Sequence, residues 1–302
     1  MWLAKAKGLK FKNMFSKLTI FFKSKFVFAK FFIGEWLWKL RLTFIILFVG
    51  KKNNLGKALN GLKTKGYFVF DSYFSINEVE EIKKNCHYQL NSIPNNYLSK
   101  YDSNDYIENL EIKENKISIE RMSGSIKLKK INQTGSYLQK ISQNFFLLSL
   151  SLIQQCKLAK KALLIFSLSH DGSFKNNKVP GSVSNKDNIA GGLHFDTYYH
   201  SLKAYVALED INQENGPFAY LEGSSTDNSL NHNYLSSARV NHNLKSDIQK
   251  PHEISENFKN NYKDKIFYGN QKKGDLVIMD TKGIHFASTL KKGQRELLWF
   301  YY

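Results

Sequence analysis

The apolar positions change their period about halfway along the chain. From Ser75 to Leu90 and again from Tyr137 to Leu158 they recur every three or four residues, and from Ala162 to Tyr301 they come in short blocks bounded by glycine. Ser75 and Glu78 make an S-x-x-E signature, and Val79, Ile82, Cys86 and Leu90 follow at helical spacing, which predicts a capped helix. A second helix is predicted from Tyr137 to Leu158, with Ile141, Phe145, Leu148 and Leu152 on one face. Tyr67 to Phe70 is a short apolar strand ahead of the first helix. The blocks Ala162 to Leu168, Leu202 to Leu208, Phe218 to Leu221, Leu276 to Met279 and Leu297 to Tyr301 predict further strands. Gly172, Gly181, Gly216-Pro217, Gly223, Gly274 and Gly293 punctuate them as turns. This order predicts a mostly β, largely antiparallel domain with flanking helices, of the α+β class. Residues 94–135 read as loops and edge strands. The stretch 224–262, rich in Asn, Ser and His, reads as a lid or binding loop. No internal repeat is present.

Composition narrows the class. A chain of 302 residues with 42% hydrophobic residues and four prolines can bury a full core, which excludes wholesale disorder. The net charge of +18 is unevenly spread. Residues 1–50 hold ten cations against one acid, Glu35, together with ten of the 23 phenylalanines and three of the four tryptophans. Lysine interleaved with Phe and Trp suits a lipid headgroup boundary better than a nucleic-acid groove. The longest uncharged run there, Leu42 to Gly50, is too short to span a bilayer. The lysines do not gather on one side of a helical wheel, so no clean amphipathic helix is expected. Two readings of this stretch stand side by side: peripheral membrane contact, and an extension packing on its own domain. The chain thus divides into a basic aromatic extension (1–50), a polar Gly- and Asn-containing linker (51–66) and the main body (67–302). Cys86 and Cys156 have no metal-ligand spacing and read as buried small hydrophobes. Without an export signal the expected compartment is cytoplasmic.

Candidate chemistry begins at Gly191-Gly192-Leu193-His194-Phe195-Asp196. On a strand, residues two apart share a face, so the His194 imidazole and Asp196 carboxylate can converge. Two imidazoles and a carboxylate on one face of an octahedron are the ligand set of non-haem Fe(II) oxygenases, which leaves a third ligand to find. His232, His242 and His252 lie in the polar stretch and read as ordinary exposed histidines. His170 beside Asp171 cannot chelate with it, because adjacent strand residues face opposite ways. His285 follows a strand and precedes Arg295, whose fork-shaped guanidinium suits a carboxylate held beside a metal.

The ordered set His194-x-Asp196, then Tyr205 to Leu208 ending in Glu209-Asp210, then Asn215-Gly216-Pro217, then His285 and Arg295, resembles the phytanoyl-CoA dioxygenase family of Fe(II)- and 2-oxoglutarate-dependent oxygenases. The resemblance covers residues 60–302. It implies a double-stranded β-helix (a jelly roll, cupin-like). It implies iron ligands at His194, Asp196 and His285, which are then the catalytic residues, and a 2-oxoglutarate contact at Arg295. Tyr205 falls where the family often has an aromatic lining the cosubstrate pocket. The implied cofactors are Fe(II), 2-oxoglutarate and O2, and the implied reaction is hydroxylation of a small-molecule, lipid or glycan-related substrate. Related halogenases lack the carboxylate, so Asp196 favours hydroxylation. The sequence departs from the family at Ala287, where a hydroxyl residue is common, with Ser288 one position later. It departs again at Glu222-Gly223-Ser224-Ser225, a change expected to concern a loop. The rival readings are a β-barrel that binds without catalysis, a zinc hydrolase on the same ligands, and an interaction protein tethered to a membrane through residues 1–50.

Overall fold

The expected first helix forms, and its cap shows why. In the computed structural model the Ser75 hydroxyl accepts from the Glu78 amide, and the Glu78 carboxylate accepts from the Ser75 amide. Two orphan donors of the first turn are satisfied reciprocally. The structure describes residues 33–94, 107–112, 117–122, 125–131, 136–155, 159–171, 193–197, 199–226, 252–253 and 261–302. Among these, the helices are residues 33–49 (α1), Asn54–Thr64 (α2), Ile76–Asn91 (α3), Ser136–Ser142 (α4) and Phe145–Gln155 (α5). The first strands are Tyr67–Phe70 (β1), Ile107–Ile112 (β2), Ile117–Met122 (β3), Ser125–Lys129 (β4) and Leu163–His170 (β5). Then come His194–Phe195 (β6), Leu202–Ala207 (β7), Phe218–Leu221 (β8) and His252–Glu253 (β9). Ile266–Gly269 (β10), Leu276–Asp280 (β11), His285–Ala287 (β12) and Gln294–Tyr301 (β13) complete the set.

One sheet runs β1-β11-β7-β13-β5-β4-β3-β2 and the other β10-β8-β12-β6-β9, with antiparallel pairing throughout the described registers. Strand alternation sorts the side chains into layers. Leu202, Ala204 and Val206 of β7, with Leu276 and Ile278 of β11, pack outward into the core shared with the helices. Tyr205, Ala207, Val277 and Leu297 point the other way and meet Phe218 and Tyr220 of the second sheet. The outer face of that second sheet buries Phe195, Ala219, Leu221, Ile284 and Phe286. Two antiparallel sheets facing each other across an apolar interior, with helices on the larger one, make this an α+β double-stranded β-helix.

Three local expectations change. The second helix is two, because Asn144 stops one and caps the next, its side-chain oxygen accepting from the Leu147 amide at 3.1 Å. The break shifts the helical phase. Phe145 is exposed, whereas Leu147, Leu150 and Gln154 are buried. Residues 156–158, including Cys156, lie outside the described residues, as do Gly191, Gly192 and most of 224–262. Within that polar stretch, β9 pairs directly with β6. The linker, finally, is largely helix. Asn53 caps α2, accepting from the Leu55 amide at 2.9 Å, and Leu59 and Leu62 are fully buried. Gly61 lies where a Cβ would collide with Tyr67 and Phe68. Gly56 and Gly61, part of the predicted linker, serve close packing.

Helix α1, expected as part of an extension, is tied into the body by Trp38, Leu42 and Ile46, all buried in the main core. Its Glu35 carboxylate is buried against the Lys282 ammonium and His200 Nε2, the latter at 3.0 Å. His200 Nδ1 pairs with Asp280, and Trp38 stacks on the imidazole with ring centroids 3.6 Å apart. Asp280 also accepts from Gln154 of α5 at 2.9 Å and from the Ser201 amide at 3.1 Å. Burial would raise the Glu35 pKa, but His200 and then Lys282 outweigh it and hold the group at about 2. The resulting stabilisation is present above the ordinary value of 4.5 and is lost as pH falls through about 2. Glu35→Gln leaves the Lys282 charge buried without its carboxylate and is expected to cost about 3 kcal/mol at neutral pH. Urea unfolding of both proteins at a series of pH values checks this, since the difference should shrink below pH 4.5.

Candidate metal centre

Strand register brings the predicted ligands together. His194 and His285 are directly opposed across the β6–β12 pair, so their side chains leave the sheet on the same face. Asp196 is two residues beyond His194 and shares that face. A hydrogen bond from its amide to the Thr281 carbonyl, at 3.0 Å, holds it there as the chain leaves the sheet. One ligand atom from each of the three residues lies within 4.8 Å of the others. His285 Nε2 is 3.4 Å from Asp196 Oδ2, and His194 Nε2 is 3.8 Å from Asp196 Oδ1. The two imidazoles are tilted, with centroids 4.5 Å apart.

Neighbouring groups prepare these atoms for a cation. His285 Nδ1 is 2.9 Å from the Gly283 carbonyl, which can only accept, so Nδ1 carries a proton and Nε2 is the nitrogen turned toward Asp196 and a bound cation. Gly283 must be glycine, because a Cβ there would enter the Tyr220 hydroxyl. The Ser224 hydroxyl accepts from the Ile284 amide at 2.7 Å. The departure at Glu222 to Ser225 thus anchors the start of the His285 strand. Burial would raise the Asp196 carboxyl, but the facing His285 and then the Lys203 ammonium outweigh it and hold the group well below the usual carboxylate range. Lys203 Nζ sits 2.6 Å from Asp196 Oδ2 and lies over the Tyr301 ring at 4.2 Å. Sequence reasoning missed Lys203. The signal was available in the alternation of β7, where Lys203 and Tyr205 share a face.

Arg295, on the inward face of β13, is buried, and its guanidinium donates to the Gly216 carbonyl. The Tyr205 hydroxyl, in its electrostatic range, is buried with no hydrogen-bond partner among the described residues. Ser288 Oγ is likewise buried without a partner there, and a Cβ on Gly216 would touch both the Ser288 carbonyl and the Arg295 guanidinium. Arg295 therefore lies beside the chain three residues past His285, roughly 10 Å along an extended strand. An unpaired buried hydroxyl costs free energy unless something completes it. A two-nitrogen, one-carboxylate donor set with a buried cation and open donors farther along the same interior fits Fe(II) together with 2-oxoglutarate and O2. Ala287 offers no hydroxyl, whereas Ser288 is the hydroxyl actually placed near Arg295.

The remaining candidates stay apart from this cluster. His170 is buried at the end of β5, and His87 pairs with Glu296 at 3.1 Å. His232 and His242 lie outside the described residues. Cys86 is fully buried in the main core, and burial pushes its thiol up, away from reactivity.

No family model matches the chain, and no curated protein does. The phytanoyl-CoA dioxygenase resemblance therefore rests on the motif residues themselves. Among solved structures, the chain is similar to SnoN, a non-haem alpha-ketoglutarate-dependent epimerase from nogalamycin biosynthesis, at 12% identity and TM-score 0.47, covering 82% of this chain and 81% of that one. It is similar to HygX from Streptomyces hygroscopicus with nickel, 2-oxoglutarate and hygromycin B bound, at 13% identity and TM-score 0.47, covering 81% and 85%. It is also similar to AviO1 from Streptomyces viridochromogenes Tue57, at 11% identity and TM-score 0.48, covering 82% and 95%.

Proposed function

We propose that this chain is an Fe(II)- and 2-oxoglutarate-dependent dioxygenase that hydroxylates an unactivated C–H bond of a small-molecule, lipid or glycan-related substrate and forms succinate. The observation that carries this reading is the convergence of His194, Asp196 and His285 on the interior where buried Arg295 and the unpartnered Tyr205 hydroxyl also lie. His194, Asp196 and His285 would hold the metal through two nitrogens and one carboxylate oxygen. Bound Fe(II), with 2-oxoglutarate and O2, supplies the oxidising power for C–H cleavage.

The chain's own residues orient and enclose. The Gly283 carbonyl fixes the His285 tautomer, and Lys203 holds the Asp196 carboxylate in place. Arg295 would pair with a carboxylate of 2-oxoglutarate, and the Tyr205 and Ser288 hydroxyls would be available to it as further donors. Phe218, Tyr220 and Leu297 wall the interior and exclude water. Asp196 occupies the position that a halide would need, which favours hydroxylation.

Succinate release tests this reading, measured against fractionated metabolites and lipids with His285→Ala as the blank. At least one fraction is expected to raise succinate above the blank and to yield a product heavier by one oxygen. Equal succinate from both proteins in every fraction would sink the proposal.

A further inference from the structure

Helix α1 is apolar on two opposite sides, and the described residues cover only one of them. Trp38, Leu42 and Ile46 face the core. Ile33, Trp36, Leu37, Phe44, Leu47 and Phe48 are each more than half exposed, Phe48 by 93%. At 3.6 residues per turn these six fall within an arc of about 120°, with Leu40 at its middle and no charged residue inside it. The helix cannot roll to hide that stripe. Glu35 locks its other side to Lys282 and His200, and Arg41 donates to the Gln154 carbonyl at 3.1 Å.

The surrounding charge has one sign. Between Met1 and Asp71 the only acid is Glu35, and that carboxylate faces inward. Lys51 and Lys52, both exposed, follow the last turn of α1. Residues 1–32 add eight lysines among eight phenylalanines and Trp2. A second copy meeting this stripe would set two such cationic regions against each other. No helix among the described residues is long and apolar enough to cross a membrane. An apolar stripe bordered by cations suits the plane of a bilayer interface, where acyl chains take the side chains and anionic headgroups take the lysines.

We propose that α1 docks this chain on an anionic lipid surface, with Trp36, Phe44, Leu47 and Phe48 seated at the headgroup–acyl boundary. The docking stands independently of the metal centre, so its test does not depend on activity.

Flotation of the full-length protein decides it. Vesicles of phosphatidylcholine with about 30 mol% phosphatidylglycerol should carry the protein upward, neutral phosphatidylcholine vesicles about tenfold less, and about 0.5 M salt should weaken the binding. Phe44→Ser, Leu47→Ser and Phe48→Ser combined should lower partition to the anionic vesicles by at least about tenfold, with unchanged thermal unfolding. Phe44→Leu with Phe48→Leu should retain it. Equal flotation of the intact and triple-serine proteins would overturn the proposal. So would an intact protein that ignores vesicles and forms a dimer the triple variant dissociates, which assigns the stripe to a second copy. No vesicle binding together with a lower melting temperature in the triple variant would overturn it too, by assigning the stripe to a cover from residues 1–32.

Discussion

Asp196→Ala is expected to lower 2-oxoglutarate turnover by on the order of 10³-fold or more, since even partners behind a ligand are worth about 10- to 100-fold. The substitution removes one of the three candidate ligand atoms found among the described residues and also strips Lys203 of its carboxylate at 2.6 Å. A stability change is therefore expected with it, because Lys203 is then left without its counter-charge. His285→Ala separates the two effects. It removes a candidate ligand while leaving the Lys203–Asp196 pair in place, and it should lose turnover to the same degree with a smaller drop in melting of the metal-free protein than Asp196→Ala. Succinate formation and thermal unfolding, measured on both variants, check the pair. Turnover within tenfold of the unsubstituted chain in either variant would count against the metal centre.

Arg295→Gln is expected to raise the KM for 2-oxoglutarate by about 100-fold, equivalent to roughly 2.7 kcal/mol, the range for removing one side of a buried charged contact. Arg295 also donates to the Gly216 carbonyl, so a purely structural role would show as lower stability with KM unchanged. The KM-against-kcat split, read together with melting, distinguishes these. Arg295→Lys keeps the charge but loses the fork, and should recover only part of the affinity. Iron affinity in the absence of 2-oxoglutarate should be unaffected in both.

Much of the site is legible in the sequence because strand geometry is nearly local. His194-x-Asp196 shares a face by period alone, and Arg295 sits at the approach to a final strand that Gly293 already marks. The capping box at Ser75 is equally local. What escaped depends on partners distant in sequence. Lys203 matters only because Asp196 lies opposite it, and Ser288 only because Gly216 brings Arg295 beside it. Asn144, read as an ordinary helix-interior residue, is the cap that splits one predicted helix into two.

The N-terminal region was the least legible, for a specific physical reason. In α1 the covered and uncovered sides are both apolar, so opposite faces cancel on a helical wheel and no amphipathic signal survives. Glu35 reads as a lone surface acid among lysines. Only the fold shows that it is buried against Lys282, 247 positions away, next to Thr281, whose carbonyl accepts from the Asp196 amide. Likewise, Asn53, Gly56 and Gly61 carry linker-like composition but supply a cap and two close approaches.

We propose that His194, Asp196 and His285 hold Fe(II) where 2-oxoglutarate can join it. The most direct test of this is the visible spectrum of the full-length protein, without oxygen, on adding Fe(II) and then 2-oxoglutarate. A weak metal-to-ligand charge-transfer band that needs both additions, and that is missing from Asp196→Ala, is the predicted result. No band in the intact protein, or the same band in the variant, would contradict it.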